Sequence, residues 1–221
     1  MSEAPETPAA GSEPVIVRHK LADRLFHWLM AASMLTLLGT GFLPVLGIKF
    51  PWVDPHWIAG VILILLLLFH VIRVAFVHKL ANMLVRWQEF REAFDVTTRE
   101  VLGAAREKRR IGKYSVGQKL FHHAVAITVL TVSVTGVMMM VGIESPFWER
   151  NPLFISEAAR GLVFVLHGFA GLFCITMIIV HIYFAIRPEK WYLTKSMLRG
   201  WIGHDDFEQH HDAELWLTER K

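Results

Sequence analysis

Cysteine is nearly absent from these 221 residues: Cys174 stands alone. One thiol builds neither a disulfide framework nor a cysteine metal site, and within an apolar run it reads as a small packing residue. Charge is scarce too, at 19% of residues against about 25% in soluble domains. Asp, Glu, Lys and Arg are missing altogether from Leu25 to Ile48, Pro55 to Ile72, Leu120 to Ile143 and Gly161 to Ile186. Each gap is close to the roughly 20 residues that a spanning helix needs. Four such gaps exclude an ordinary soluble fold and predict an all-α protein, a bundle of four transmembrane helices. A basic start leading into a short apolar stretch is also lacking, so no signal peptide is expected. No internal repeat stands out on reading.

The basic residues that remain are unevenly placed. Lys79 to Lys119, between the second and third spans, holds ten Lys and Arg, whereas Lys49 is alone between the first two. Arg150 and Arg160 lie between the last two spans; Arg18, Lys20 and Arg24 precede the first; Arg187, Lys190, Lys195 and Arg199 follow the last. Positive loops stay inside, so both termini and the long middle loop are expected in the cytoplasm. The net charge of +3 is then a topology signal with some attraction to anionic lipid, not a nucleic-acid signal.

The spans are expected near Arg24–Leu43, Pro55–His78, Tyr114–Val141 and Ala159–Arg187. In the middle loop Met83, Trp87, Phe90 and Phe94 share one helical face, with Arg86, Glu89, Arg91 and Glu92 elsewhere. This predicts a cytoplasmic amphipathic helix between helices 2 and 3. Residues 1–17 read as a disordered tail, 18–195 as the membrane domain and 196–221 as a second cytoplasmic tail. In that tail His204, Asp205, His210 and His211 could bind a metal, although a solvated tail is the simpler reading.

The apolar segments do keep histidines. "VLHGFAGLFCITMIIVHIYFAI" (165–186) is apolar apart from His167 and His181. Buried imidazoles are costly unless satisfied, and inside a membrane they mark function. Fourteen residues of helix are about 21 Å and about 40° short of four turns, so the two rings face one side at two depths. His56 lies near the depth of His167, and His27 near that of His181. Two stacked imidazole pairs in a bundle core suit two haem irons. Without Cys-x-x-Cys-His, attachment is not covalent. Gly39, Gly41, Gly60, Gly136, Gly168 and Gly171 would let a flat macrocycle approach the backbones. Each ligand's second nitrogen needs an acceptor, expected to be a backbone carbonyl. His70 also follows His56 by fourteen residues, so His70 with His181 is an open alternative for the inner pair. His78, His122 and His123 read as too near the inner surface to serve.

With these stretches in view, the chain resembles the cytochrome b (gamma) subunit of membrane-bound respiratory formate dehydrogenase, from about Val15 to Lys195. The resemblance lies in "VRHKLADRLFHW", "HWIAG", "GKYSVGQK", "HGFAG" and "VHIYFA". It implies two haem b, with His56 paired to His167 and His27 to His181. The family has no histidine at the position of His70. The resemblance also implies an iron–sulfur beta subunit as electron donor outside, and a molybdenum or tungsten alpha subunit that oxidises formate in anaerobic respiration. Electrons would then cross to a quinone, menaquinone or ubiquinone, reduced on the cytoplasmic side of a bacterial inner membrane. The complex could form a higher oligomer.

"GKYSVGQK" begins the third span. Gly117 lets a ligand approach the backbone, and Ser115 and Gln118 offer hydrogen bonds to a quinone carbonyl. The family has Asn where this chain has Ser115. No residue is expected to catalyse formate oxidation here. Two alternatives differ in kind: the similar cytochrome b of a hydrogenase or related dehydrogenase, and a haem-free anchor or transporter, which a b-type spectrum would exclude.

Overall fold

The computed structural model describes residues 15–76, 84, 85, 87, 90, 91, 94, 112–151 and 153–220. In chain order the elements are β1 (Val15–Val17), α1 (Leu21–Phe42), α2 (Val53–Phe76), α3 (Val116–Met140) and α4 (Glu157–Ile186). A 3-10 turn (Pro188–Lys190) follows, then α5 (Trp191–Arg199), β2 (Trp201–Gly203), α6 (His204–His210) and α7 (Ala213–Arg220). Helices α1 to α4 are each long and apolar enough to cross a membrane, within a turn of their expected bounds. The chain is a multi-pass membrane protein.

Helices suit that setting because lipid offers backbone groups no hydrogen bonds. Burial in the spans is correspondingly inverted. The side chains turned inward are mostly small or hydroxylated: Ser33 and Thr40 on α1, Ala59 on α2, Thr128 and Thr135 on α3, Ala170 and Cys174 on α4. Large apolar groups face out, as Phe169 and Ile127 do at 69% and 68% exposure. Lipid tails are as apolar as leucine, so nothing drives such groups inward, while small residues let helices approach. Thr36, Thr40, Thr131 and Thr135 each donate their hydroxyl proton to the carbonyl four residues back.

The chain divides into two units. One comprises Leu25–Val85 and Gly117–Tyr183 and contains most of the four spans. After α1 the chain turns at Pro44 and Gly47, whose φ of 85° is left-handed. After α3, Trp148 donates its indole N–H to the Met140 carbonyl at 2.9 Å, satisfying an end-of-helix acceptor. Trp57 packs edge-on against Trp148 at 5.6 Å.

The other unit takes in Met1–Arg24, Arg86–Val116 and Phe184–Lys221. Here the structure differs from the expected tails. β1 and β2 pair antiparallel, with Ile16 opposite Ile202. Tyr192, Ile202 and Trp216 form a small buried core joined by Ile16, Leu193 and Phe207. Burial pushes the ionisation of the Tyr192 hydroxyl up. Arg18, 4% exposed, is held from three sides. Its guanidinium donates to the Lys113 carbonyl at 2.7 Å and to Nε2 of His211 at 3.2 Å, and it lies over the Trp216 ring. Nδ1 of His211 completes the arrangement by donating to the Gly112 carbonyl at 2.8 Å. Gly200 ends α5 at a φ of 98°. Two of the tail histidines thus serve packing: His211 is buried and His210 stacks on Tyr192 at 4.5 Å. Among the described residues no three His, Cys, Asp or Glu side chains converge as a metal cluster.

Of the expected amphipathic helix, only Trp87, Phe90, Arg91 and Phe94 belong to the described positions together with the loop at Leu84 and Val85; these four are helical and exposed, with Trp87 and Phe90 stacked at 5.7 Å. Met83 and the rest lie outside the described residues.

Candidate functional site

Within the membrane unit the histidines meet in pairs. The ring centroids of His56 on α2 and His167 on α4 are 6.3 Å apart, with planes at 67°. Those of His27 on α1 and His181 on α4 are 6.1 Å apart, at 47°. An imidazole nitrogen bonds a transition metal at about 2.0 Å and its ring centroid lies about 1 Å behind, so two rings flanking one metal stand roughly 6 Å apart. Both pairs have that spacing. His167 and His181 share α4, which separates the two levels by about 21 Å of helix.

The His56–His167 pair is held with matching geometry on its two sides. Thr40 Oγ1 lies 2.8 Å from His56 Nδ1, and Thr135 Oγ1 lies 2.9 Å from His167 Nδ1. Each hydroxyl already donates its single proton to a carbonyl, of Thr36 and Thr131 respectively, both at 2.6 Å. Each oxygen can then only accept, so Nδ1–H of each imidazole donates to it. That fixes the tautomer and leaves Nε2 with its lone pair for a metal. The threonine hydroxyl is thus one acceptor, and each ring also hydrogen-bonds the expected backbone carbonyl, of Leu37 for His56 and of Val132 for His167. The residue after each threonine is a glycine, and a Cβ at Gly41 or Gly136 would come within 3.4 Å of Cε1 of His56 or His167. These two glycines are needed for close approach.

A cavity of about 630 Å³ opens around this pair. Its wall is apolar, with Leu37, Val132, Gly60 and Gly171 among the lining residues, but it also includes Arg150, Arg160 and Ser133. The Ser133 hydroxyl is buried without a hydrogen-bond partner. An apolar slot with two cations fits a flat macrocycle that carries two carboxylates. At the His27–His181 pair, Nδ1 of His27 is likewise buried and unpartnered, and Phe121 stacks on His181 at 5.8 Å.

Gln118 precedes Phe121 by three residues on α3, and Gly117 and Gln118 form its first turn after Val116. Lys119 is buried there at 4% exposure. Ser115 immediately precedes the helix. His122 directly follows Phe121 on α3. It faces His70 at 6.1 Å, the spacing of the His27–His181 pair, and His70 in turn stacks on Phe26 at 4.9 Å.

Residues 18–200 match the family model described as "Prokaryotic cytochrome b561". The "Formate dehydrogenase, cytochrome b556(fdo) subunit" of Escherichia coli is 27% identical over 216 residues, covering 92% of each chain. The "Formate dehydrogenase, cytochrome b556 subunit" of Haemophilus influenzae is 24% identical over 220 residues, covering 92% of this chain and 83% of its own. Four apolar spans, facing imidazole pairs and a match across most of the chain agree: this protein belongs to the prokaryotic cytochrome b561 family of membrane electron-transfer proteins.

Proposed function

We propose that the chain is the membrane cytochrome b subunit of a formate dehydrogenase, carrying electrons across an inner membrane to quinone. The observation that carries this reading is the pair of facing imidazole couples at two levels of α4, at 6.3 and 6.1 Å. His56 and His167 would hold an outer haem b and His27 and His181 an inner one. Haem iron between two imidazoles supplies one-electron transfer without gain or loss of a ligand. Thr40 and Thr135 orient the outer ligands, and Arg150 and Arg160 supply charge for the propionates in an otherwise apolar cavity.

The names of the relatives support formate as the electron source. An iron–sulfur beta subunit and a molybdenum or tungsten alpha subunit would then be the partners, and formate oxidation would occur on the latter. The excess of Lys and Arg in the middle loop supports termini in the cytoplasm. The quinone, menaquinone or ubiquinone, would bind at the inner end of α3 through Ser115, Gly117 and Gln118. Its reduction consumes two electrons and two protons, and hydroxyl, amide and ammonium donors there stabilise charge developing on the quinone oxygen. Lys119 places a buried cation on the same turn.

The test is a reduced-minus-oxidised spectrum of the purified complex with formate as reductant. Expected are b-type bands that appear with formate and reoxidise on adding a quinone. A complex reduced by hydrogen but not by formate would point to the hydrogenase-type alternative, and one without b-type bands would end the haem reading.

A further inference from the structure

The segment that leads into α3 has no regular structure to satisfy it. Residues 112–115 are neither helix nor strand, and helix begins only at Val116. Gly112 is buried all the same. A buried carbonyl outside regular structure needs a partner from a side chain or water. Two side chains supply one here, from near the start of the chain and from near its end. The Arg18 guanidinium donates to the Lys113 carbonyl at 2.7 Å, and His211 Nδ1–H donates to the Gly112 carbonyl at 2.8 Å. Arg18 also donates to Nε2 of His211 at 3.2 Å, so each side chain fixes the other. Arginine carries no acceptor, which makes Nε2 the accepting nitrogen and puts the ring proton on Nδ1.

Both side chains are themselves held. Arg18 is 4% exposed and His211 1%. The backbone N–H groups of Arg18 and His19 both donate to the Gly200 carbonyl, at 2.8 and 2.9 Å. Trp216 packs against the His211 ring at 4.8 Å, and its own ring lies 5.3 Å from the guanidinium. The guanidinium also lies over the Tyr114 ring at 5.8 Å. Three successive residues, Gly112, Lys113 and Tyr114, are thus each held by this pair. The next residue is Ser115, and α3 starts directly after it.

We propose that Arg18 and His211 are positioning residues for quinone reduction: they fix the backbone of residues 112–114 so that the Ser115 hydroxyl is preset for the quinone carbonyl. The proposal deepens the quinone-site reading and rests on it. Neither residue needs to touch the quinone. Their contribution is preorganisation, because an irregular segment left free loses backbone entropy whenever a ligand orders it. Loosening the segment therefore weakens quinone binding, and raises KM more than it lowers kcat.

The test measures formate-driven quinone reduction by the purified complex, with haem content and the formate-reduced spectrum as the check on assembly. Arg18→Lys keeps the positive charge before the first span but replaces the planar fork with a single ammonium. His211→Phe keeps an aromatic ring and loses both hydrogen bonds. Each should raise KM for quinone about tenfold, the size of one lost charge-assisted hydrogen bond, with kcat within about twofold and haem unchanged. Arg18→Lys decides the matter by itself if the phenylalanine variant does not assemble. His211→Gln, whose one amide both donates and accepts, should recover most of the affinity. In a Ser115→Ala background Arg18→Lys should add nothing further, because the group it positions is gone. An unchanged KM in Arg18→Lys and His211→Phe, with Ser115→Ala still raising it, would overturn the proposal and leave the quinone site standing. So would an Arg18→Lys effect of equal size with and without the Ser115 hydroxyl, the mark of a general packing role. If Ser115→Ala and Gln118→Ala change neither KM nor rate, the quinone-site reading itself fails, and the proposal with it.

Discussion

Thr40 and His56, sixteen residues apart and on different helices, share a 2.8 Å hydrogen bond that sets which nitrogen of the imidazole points away. Thr135 does the same for His167. Groups that orient a metal ligand typically matter by 10- to 100-fold in metal affinity. Thr40→Val combined with Thr135→Val should therefore weaken retention of the outer haem by about that factor, while serine at both positions should restore it. Haem loss to apomyoglobin, followed optically, measures this. Equal retention in the valine double variant would remove the orienting role.

Gly136→Ala places a methyl group 3.4 Å from Cε1 of His167, closer than most packed carbons. The ring must tilt by a few tenths of an ångström. The optical band and potential of the haem proposed at His56 and His167 should shift while those of the one proposed at His27 and His181 stay fixed, and Gly41→Ala should shift the same haem from the other side. A redox titration resolved by wavelength checks both. Changes in two different haems would mean that His56 and His167 do not share one iron.

Ser115→Ala and Gln118→Ala should slow quinone reduction several-fold, with both proposed haems still reducible by formate. Ser115→Asn, which restores the residue that the resembling family carries, should be tolerated. Stopped-flow reoxidation by quinone gives the answer. If both alanine variants reoxidise at the unaltered rate, the quinone site lies elsewhere.

Gly200→Ala tests the unit that contains the small β-pair. At a φ of 98° an alanine costs about 1–2 kcal/mol in the backbone alone. Its Cβ would also meet the His19 carbonyl oxygen at 3.0 Å. Protease susceptibility after β2 should rise in membrane vesicles while the haem spectrum stays unchanged. Coupled loss of haem would show that the two units do not unfold separately.

The four spans were legible because uninterrupted apolar runs have one outcome in lipid. The pairing of His27 with His181 and His56 with His167 followed from helical pitch and the resemblance. The structure brings each of those pairs together. Three things escaped. The role of the threonines was not legible, because the hydrogen bond between His56 and Thr40 joins two helices and leaves no local pattern. The facing of His70 and His122 left none either, for the same reason. An internal repeat did not stand out because only a handful of identities carry it, among them six at an offset of 95 positions (Leu25, Phe26, His27, Thr36, Thr40 and Gly41) and three at 111 (His56, Gly60 and His70). The β1–β2 pair was out of reach because three-residue strands almost two hundred positions apart have no periodicity to read.

Arg18, Gly112 and His211 meet in one hydrogen-bonded cluster although they come, in chain order, before the first span, before the third and after the fourth. A ribosome making this chain delivers Arg18 first and His211 after every membrane helix has been synthesised. The guanidinium must wait through four insertion events, and the Gly112 carbonyl through two, for the imidazole that joins them. Closure of the cluster is therefore a chemical record that threading is complete. A chain whose last helix failed to insert would keep these groups open to water, and that is the difference a quality-control protease could read.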